Sequence, residues 1–492
     1  MPDLAVELYG LQVGSLSGNW RNFDFHASHE AVTEFGIDSS ILSVAVPLAV
    51  VANRKHKSRR QNFFRELLPE GRMLTRMAQD AELLEQDVIG LLRRYGRDIA
   101  GALQIWDPSR PGEPKQPALE DISTADVADM LTHVQNNPLG NKPNGGKTSL
   151  AGVQDKIVLA VTPHGWARVI DGHPSTHILK PESRDYPTII YDEEYGSRFA
   201  REAGLSEYET RIDTFDNVPA LVIERYDRSE DAPRGRIHQE DFNQALGAGG
   251  NRKYQKYGGR VSLERIAAVL SAVGDTESLE RLLRMCVVSV AVGNLDMHAK
   301  NISLLHRPDG TMTLAPAYDV VPQVHLPNDG EMALSVHHEY RHGAITRAHL
   351  IAEGQSWKMP NAEHIVDETL EIVRDTANVQ QPHPKSYPGL ADDVARFTAN
   401  LIDGRPIASL SHLPRDRNVR TRRGRLEIAD PTGCRPVLKS GDEPLDAVAD
   451  VPSNRPRGFG RDGDAFSFGH GFTHLFAVVS VRTRLPIQHC RQ

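Results

Sequence analysis

The chain has 492 residues, of which 39% are apolar and 25% are charged, and its formal net charge is -8. This is the composition of an ordinary soluble enzyme with two or three domains, and the negative charge argues against a protein that coats nucleic acid by itself. Three widely separated cysteines, Cys286, Cys434 and Cys490, argue against a disulfide framework and indicate a reducing compartment.

Localisation and surface charge can also be inferred from the sequence. The N-terminus lacks the basic and apolar regions of a signal peptide, and no run approaches the roughly 18 apolar residues that cross a bilayer. We therefore expect a cytoplasmic protein with no membrane partner. Residues 53–60 form a basic run, which is either a solvated loop or a local contact with DNA.

The N-terminal part, residues 1–107, is predicted to be a small α+β unit. Helical periodicity runs from about residue 63 to residue 95, where Gly96 supplies a stop signal. Residues 108–116 are rich in Pro, Gly and charge and indicate a linker or exposed loop. Three short apolar segments predict strands: residues 4–9, 11–16 and 22–25.

The next part, residues 108–236, is predicted to consist mainly of strands, with one helix over residues 192–203. Residues 237–409 follow with mostly helical periodicity. Strands first and helices after indicate a two-lobed module of the α+β class. Residues 410–492 are rich in Arg and Pro with little periodicity, which predicts a poorly ordered C-terminal extension. The strands are expected at residues 157–161, 167–170, 177–181 and 218–226, and the clearest helices at residues 276–292 and 362–379.

The most informative stretch is residues 293–320. Residues 302–306 and 311–315 are short apolar runs on either side of Arg-Pro-Asp-Gly, a strong turn signal, so a β-hairpin is predicted. Three polar side chains are expected to converge at its open end: Asp296, Asn301 and Asp319.

Such a set suits phosphoryl transfer to a hydroxyl, in which one carboxylate orients the nucleophile while an amide and a second carboxylate hold Mg²⁺. In the eukaryotic-type kinase signature, the catalytic Asp precedes the metal-binding Asn by five residues, and a metal-binding Asp follows a hairpin. The chain repeats this order. It departs from the signature because no His-Arg-Asp precedes the base, and the Asp-Phe-Gly position reads Asp-Val-Val. The alternative is a merely structural hairpin, since Asp and Asn are common at turns.

A loop at residues 149–156, just before a predicted strand, is the candidate for holding phosphates. Gly152 permits close backbone approach, and consecutive N–H groups in such a loop can form an anion-binding nest. One glycine is a weak signal by itself. The upstream Gly-Gly-Lys-Thr at residues 145–148 does not complete a Walker A loop, because Asn141 stands where the first glycine is needed.

Lys180 ends an apolar strand. A kinase places a lysine at this position, where it binds the α- and β-phosphates and forms an ion pair with a helix glutamate. Glu194 is the expected partner, with Glu193 as second choice. A lysine that merely reaches solvent is the alternative, which the acidic helix that follows disfavours. Residues 224–228 lie where a hinge offers backbone groups to an adenine edge, although a salt-bridged turn is equally consistent with this segment.

Together these motifs resemble the HipA family of bacterial serine/threonine kinase toxins of type II toxin–antitoxin modules. The resemblance spans roughly residues 4–405. It rests on six segments: residues 64–71, 96–103, 149–156, 177–181, 224–228 and 294–301.

The resemblance implies a phosphatidylinositol-kinase-like, two-lobed fold with ATP and Mg²⁺ as cofactors. Asp296 would be the catalytic base, and Asn301 and Asp319 the metal ligands. The nucleotide-binding residues would be Ala151, Gly152, Val153, Gln154, Asp155, Lys156, Lys180, Glu224, Arg225, Tyr226, His298, Ala299, Lys300, Asn301 and Asp319.

The resemblance also implies regulation and partners. Ser149 matches a serine whose autophosphorylation ejects the phosphate loop and silences the kinase. A small helix-turn-helix antitoxin, similar to HipB, would neutralise the toxin and make most of the contacts with operator DNA. The substrate would be a translation component, aminoacyl-tRNA synthetases being the known class, but no residue of this chain identifies it.

Two other functions stay open. One is a catalytically silent relative that only binds its DNA-binding antitoxin, and the other is a small-molecule kinase on the same fold. The presence of Lys180, Asp296, Asn301 and Asp319 favours an active enzyme over a silent one, since an inactive relative usually lacks one of these residues.

Overall fold

The computed structural model describes residues 3–141 and 147–409. The predicted C-terminal extension, residues 410–492, lies outside the described residues, as do residues 142–146. The boundaries predicted between domains stay predictions. Of the helices that the structure describes, none combines the length and the apolar character needed to cross a membrane.

The first part of the chain forms an antiparallel sheet with the spatial order β3-β2-β1-β4 and four covering helices. Its three leading strands confirm the predicted ones. Its strands are β1 (Leu4–Leu8), β2 (Leu11–Asn19), β3 (Asn22–Ala27) and β4 (Gln104–Trp106), and its helices are α1 (His29–Phe35), α2 (Lys57–Arg65), α3 (Gly71–Asp80) and α4 (Val88–Tyr95).

The helical stretch predicted for residues 63–95 is three separate helices, so its continuity was wrong. The physical reason is Pro69, which disfavours the helical conformation of the residue before it and cannot donate a helical hydrogen bond. The short connection between α2 and α3, residues 66–70, therefore contains no helix or strand. Asp87 restarts the helical pattern by accepting from Gly90 N–H at 2.8 Å.

The second part forms a sheet that we call the central sheet, with the order β5-β7-β6-β8-β10-β9 and antiparallel pairing throughout. The predicted strands are confirmed, while the predicted helix begins three residues earlier than expected. The elements are β5 (Ala118–Asp121), α5 (Thr124–Thr132), β6 (Ile157–Thr162), β7 (Gly165–Ile170), β8 (His177–Pro181), α6 (Ile189–Glu202), β9 (Thr210–Phe215) and β10 (Val218–Glu224).

The third part is mostly helical and contains the predicted hairpin as β12 and β13, whose register pairs Leu304 with Leu314. The helices predicted at residues 276–292 and 362–379 are confirmed to the residue. The elements are β11 (His238–Asp241), α7 (Phe242–Ala245), α8 (Leu263–Ala272), α9 (Thr276–Val292), β12 (Ser303–His306), β13 (Met312–Leu314), β14 (Glu331–Val336), β15 (Glu339–Arg341), α10 (Arg347–Ser356), α11 (Ala362–Val379) and α12 (Leu390–Ile402).

The buried helix α9 positions the loop that carries Asp296. It lies in the apolar core of the helical part and ends at Gly293, which adopts φ +76°. A glycine is needed there because L side chains rarely adopt that conformation, and a Cβ would also come within 2.7 Å of Val324. The chain therefore leaves the core at a defined point directly before Asp296.

Candidate active site

The loop after α9 brings Asp296 and Asn301 together. Asn301 Nδ2 donates to the Asp296 carbonyl oxygen at 2.8 Å, across a short 3₁₀ turn at Ala299–Asn301. This bond commits the nitrogen end of the amide, so the oxygen end is the one available to a cation. The Asp296 side chain is 36% exposed, which leaves its carboxylate open to a substrate hydroxyl.

His298 lies beside this carboxylate, with Nε2 at 3.9 Å from Asp296 Oδ2. Burial lowers the pKa of His298, so the ring is neutral at neutral pH. Its Nδ1 is buried and has no hydrogen-bond partner among the described residues. An unsatisfied buried ring nitrogen is costly, and a bound phosphate or water would supply the missing partner.

Lys180 lies between two carboxylates in the buried centre of the site. Its Nζ is 2.7 Å from Glu193 Oε1, on α6, and 2.8 Å from Asp319 Oδ1. Burial opposes the lysine charge, but Asp319 and Glu193 outweigh it and raise the pKa of Lys180. An ion pair between Lys180 and a glutamate of the following helix was expected, whereas the contact with Asp319 was not predicted.

The choice of Glu194 as the partner of Lys180 was wrong, and the second choice, Glu193, is correct. One residue along an α-helix turns the side chain by about 100°. Glu193 therefore faces β8, while Glu194 pairs with Arg198 one turn further along α6, at 2.7 Å. The acidic pair could be recognised from the sequence, but the member that faces inward could not.

Asp319 adopts φ +56°, a left-handed conformation that costs a non-glycine residue about 1–3 kcal/mol. Although burial would raise the pKa of Asp319, the charges of Lys180 and Lys156 lower it to about 2, so the carboxylate is ionised. The ion pair with Lys180 thus ties Asp319 to the central sheet.

Helix α6 lies directly against the backbone that follows Asp319. A Cβ on Gly196 would come within 2.1 Å of the Val320 carbonyl oxygen and 2.9 Å of Pro322 Cδ, closer than any real contact. Glycine is normally poor in the middle of a helix, and here the close approach explains its presence. The close packing of α6 on Val320 keeps Glu193 near Asp319.

Gly196→Ala is therefore expected to destabilise the protein by about 1–3 kcal/mol, the usual cost of overpacking. Helix propensity alone predicts the opposite sign, a gain of about 1 kcal/mol. The free energy of unfolding in urea distinguishes the two. A Gly196→Ala protein as stable as the wild type would contradict the close packing of α6 on Val320.

The predicted phosphate loop lies beside Lys180. Lys156 is buried, and its Nζ donates to the Ala151 carbonyl oxygen at 2.9 Å. Burial, reinforced by the charge of Lys180, lowers the pKa of Lys156 to about 8. Gly152 adopts φ +116°, and a Cβ there would lie 2.6 Å from Lys156 Nζ. The buried ammonium of Lys156 thus lies against the backbone at residue 152, and the close approach requires glycine at that position.

Other residues of this loop differ in their surroundings. Gln154 Nε2 is buried and has no hydrogen-bond partner in the part of the chain that the structure describes. Val153 is exposed, and Asp155 accepts from Gln135 at 3.1 Å. The free amide of Gln154 is a donor suited to a phosphate oxygen, whereas Asp155 has a structural contact.

The Ser149 side chain is fully buried. Its Oγ donates to the Leu67 carbonyl oxygen at 3.0 Å, and its N–H donates to Asp98 O at 2.9 Å. A hydroxyl in this position cannot accept a phosphoryl group unless the loop first moves. Phosphorylation would then prevent its return, because a dianion cannot replace this buried neutral contact.

The predicted hinge contains one residue with a structural role. The Arg225 guanidinium is buried and bonds Asp227 at 2.8 Å and Ser175 Oγ at 2.8 Å. The N–H groups of Glu224 and Arg225 donate to the carbonyl oxygens of Glu209 and Thr176, so both donors are already used. These contacts are at odds with nucleotide binding by Arg225. Tyr226 packs between Tyr208 and Tyr318, with centroids 5.9 and 5.7 Å away.

Lys300 was predicted to contact the nucleotide, but two carboxylates of the N-terminal part occupy it. Its Nζ is 2.6 Å from Glu70 Oε1 and 2.8 Å from Glu66 Oε2. Sequence reasoning missed both glutamates, although they lie in a segment on which the family resemblance rests. Glu70 and Lys300 are 230 positions apart, and no spacing rule relates them. Ala299, its neighbour, is buried.

Tyr254 was also missed. Its ring packs edge-on against the ring of His298, with the two ring centroids 5.3 Å apart. Burial, together with the nearby Asp296 charge, raises the pKa of the Tyr254 hydroxyl. The residue is therefore a neighbour of the predicted catalytic base and stays protonated.

The described residues fit a hard divalent cation with bound phosphates. The oxygen-bearing groups Asn301 and Asp319 are the ligand types that Mg²⁺ prefers, and Mg²⁺ usually completes its shell with water and phosphate oxygens. Lys180, which contacts Asp319, and Lys156 supply positive charge, and the Gln154 amide, which has no partner among the described residues, supplies a donor.

Two family models match the chain. The model described as "HipA N-terminal domain" matches residues 4–106, and the model described as "HipA-like C-terminal domain" matches residues 148–377. Together they include every residue assigned above to the candidate site.

Related proteins carry kinase names. A Sinorhizobium fredii protein named "Putative kinase Y4mE" is 32% identical over 299 residues, which cover 59% of this chain and 71% of the relative. "Serine/threonine-protein kinase toxin HipA" of Shewanella oneidensis is 26% identical over 416 residues, covering 81% of this chain and 93% of the relative. The mixed α/β fold is similar to that of Shewanella oneidensis HipA, solved in complex with HipB and operator DNA. That match has a TM-score of 0.65 and 23% identity, and covers 81% of this chain and 96% of the solved one.

Proposed function

The chain belongs to the HipA family, and from this membership and the site geometry we propose that it is a serine/threonine protein kinase that uses ATP and Mg²⁺. The observation that carries the proposal is Lys180, held between Glu193 and Asp319. In this proposal the central sheet and the helical part are the two lobes of a kinase, and the nucleotide lies between them.

Each residue has a role that follows from its surroundings. Asp296 would accept the proton of a serine or threonine hydroxyl, because its carboxylate is partly exposed and lies beside a neutral His298. Asn301 and Asp319 would hold the cation, and Lys180 and Lys156 would bind phosphate oxygens. When bound, Mg²⁺ would neutralise charge that develops on the transferred phosphoryl group.

Regulation and partners form the second part of the proposal. Ser149 would be phosphorylated by the kinase itself, and the buried contacts of its Oγ explain why a phosphate there would keep the loop out. A complex of HipA, HipB and operator DNA is known for a structural relative. By analogy, this chain would be a toxin neutralised by a small DNA-binding antitoxin. The family resemblance alone favours a translation component, such as an aminoacyl-tRNA synthetase, as substrate.

The test is incubation of the purified full chain with γ-labelled ATP, with Mg²⁺ or with EDTA, alone and in cell lysate. We expect Mg²⁺-dependent label on Ser149, located by mass spectrometry, and on a lysate protein that the label then identifies. Ser149→Ala should keep the lysate label and lose the label on itself. Absence of Mg²⁺-dependent transfer to any protein would overturn the kinase. Label on a lysate protein without phosphate on Ser149 would overturn only the self-inactivation.

A further inference from the structure

The connection between α2 and α3, residues 66–70, touches the loop that carries Asp296. Glu66 and Glu70 both accept from Lys300, at 2.8 and 2.6 Å, and Lys300 immediately precedes Asn301. The Lys300 side chain is only 5% exposed, so its charge depends on these two carboxylates. Burial opposes that charge, but Glu66 and Glu70 raise the pKa of Lys300.

The same connection touches the phosphate loop. The Glu70 N–H donates to the Gly152 carbonyl oxygen at 3.2 Å, and the Leu67 carbonyl oxygen accepts from Ser149. Residues 66–70 therefore contact the phosphate loop at two points, while Glu66 and Glu70 hold Lys300.

The Glu70 carboxylate forms a second ion pair, with Lys253. Its Oε2 accepts from Lys253 at 2.8 Å, and Lys253 is followed by Tyr254, whose ring packs on His298. Although burial opposes it, the charges of Lys300 and Lys253 lower the pKa of Glu70 to about 2. The carboxylate is therefore ionised at neutral pH and holds the catalytic loop from two sides, through Lys300 and through Tyr254.

We propose that Glu70 is a positioning residue for phosphotransfer, which joins the phosphate loop to the catalytic loop. Its backbone binds Gly152, and its carboxylate binds Lys300 and Lys253. It touches neither nucleotide nor substrate, and it keeps the phosphates and the Asp296 carboxylate at a fixed separation. The inference rests on the proposed kinase function and adds to it a role for the N-terminal part of the chain.

Glu70→Gln is the sharpest variant, because it keeps the backbone N–H and the side-chain shape and removes the charge. We expect kcat to fall about 10–100-fold, since a displacement of about 1 Å in a reacting geometry can cost 10²-fold. KM for ATP should stay within about twofold, because Lys180 and Lys156 are untouched. Turnover is measured by ADP release with casein as hydroxyl acceptor, and each preparation is normalised to its calorimetrically titrated ATP-binding sites.

Two further variants complete the test. Glu85→Gln removes an exposed carboxylate of the same part of the chain, which accepts a hydrogen bond from the Thr75 hydroxyl, and should behave as wild type. Glu70→Asp keeps the charge and shortens the side chain, so it should fold even if Glu70→Gln does not, and should show a smaller fall in kcat.

The outcomes separate the inference from the proposed function. A wild-type protein that neither releases ADP nor transfers label overturns the kinase itself. With an active wild type, normalised kcat within twofold of wild type for Glu70→Gln, or for Glu70→Asp if the first variant does not fold, overturns the positioning role. A loss accounted for by fewer ATP-binding sites, or by a parallel rise in KM for ATP, would show a purely structural residue and also overturn it.

Discussion

Asp296→Asn is expected to lower the rate of phosphotransfer by about 10²–10⁴-fold, the usual contribution of a positioned proton acceptor. The carboxamide has nearly the same shape, but it cannot accept the hydroxyl proton. The fold should be unaffected, because the carbonyl oxygen of residue 296, which accepts from Asn301, is a backbone group. ATP affinity should also stay close to that of the wild type.

The measurement is initial-rate transfer of labelled phosphate, with ATP affinity measured separately by calorimetry. Asp309→Asn is the matched control: Asp309 lies in the exposed turn between β12 and β13, accepts hydrogen bonds from Thr311, and should keep full activity. Equal activity of Asp296→Asn and wild type would remove Asp296 from the mechanism. A wild type as inactive as Asp296→Asn, with ATP binding intact, would favour the silent antitoxin-binding module.

Much of this fold could be predicted because local signals agree with tertiary structure. The hairpin at residues 302–315 has alternating apolar residues around an Asp-Gly turn, and α9 ends at a glycine where a left-handed residue is required. Both features are decided within a few residues. The helical stretch at residues 63–95 was predicted less well, since Pro69 interrupts a periodicity that otherwise continues on both sides.

The candidate site was predictable where it depends on order and spacing along the chain. Asp296 and Asn301 share one loop, and Lys180 ends one strand, so a short window of sequence contains each signal. The direction in which the Glu193 side chain points depends on how α6 is rotated about its axis. The pairing of Lys300 with Glu66 and Glu70 depends on how distant parts of the chain pack. Neither has a signature in a single sequence.

Arg225 shows the opposite case. Its position in a possible hinge suggested that its backbone groups bind an adenine edge, with a salt-bridged turn as the equally consistent alternative. In the structure, Arg225 compensates the buried Asp227 together with Arg228, and Asp98 joins the same cluster. A buried carboxylate requires such cations, so charge in this segment serves folding before it serves binding.

Lys180→Met is expected to abolish phosphotransfer and to lower the free energy of unfolding by about 3 kcal/mol. Removing one partner of a buried ion pair costs about 3–5 kcal/mol, because the remaining charge is left without compensation. The lower end applies here, since the Asp319 side chain is 34% exposed and water can replace part of the lost contact. Urea unfolding and labelled phosphate transfer measure the two effects.

Glu193→Gln and Glu194→Gln form the comparison that tests the arrangement around Lys180. Glu193 is 4% exposed and bonds Lys180 through both oxygens, at 2.7 and 2.9 Å, so its neutralisation should strongly reduce phosphotransfer. Glu194 pairs with Arg198 along the same helix and faces away from Lys180, so its replacement should leave activity near that of the wild type. The same chemical change on adjacent residues of α6 therefore has opposite consequences only if Glu193 faces Lys180. Loss of activity in Glu194→Gln with retention in Glu193→Gln would refute this orientation of α6.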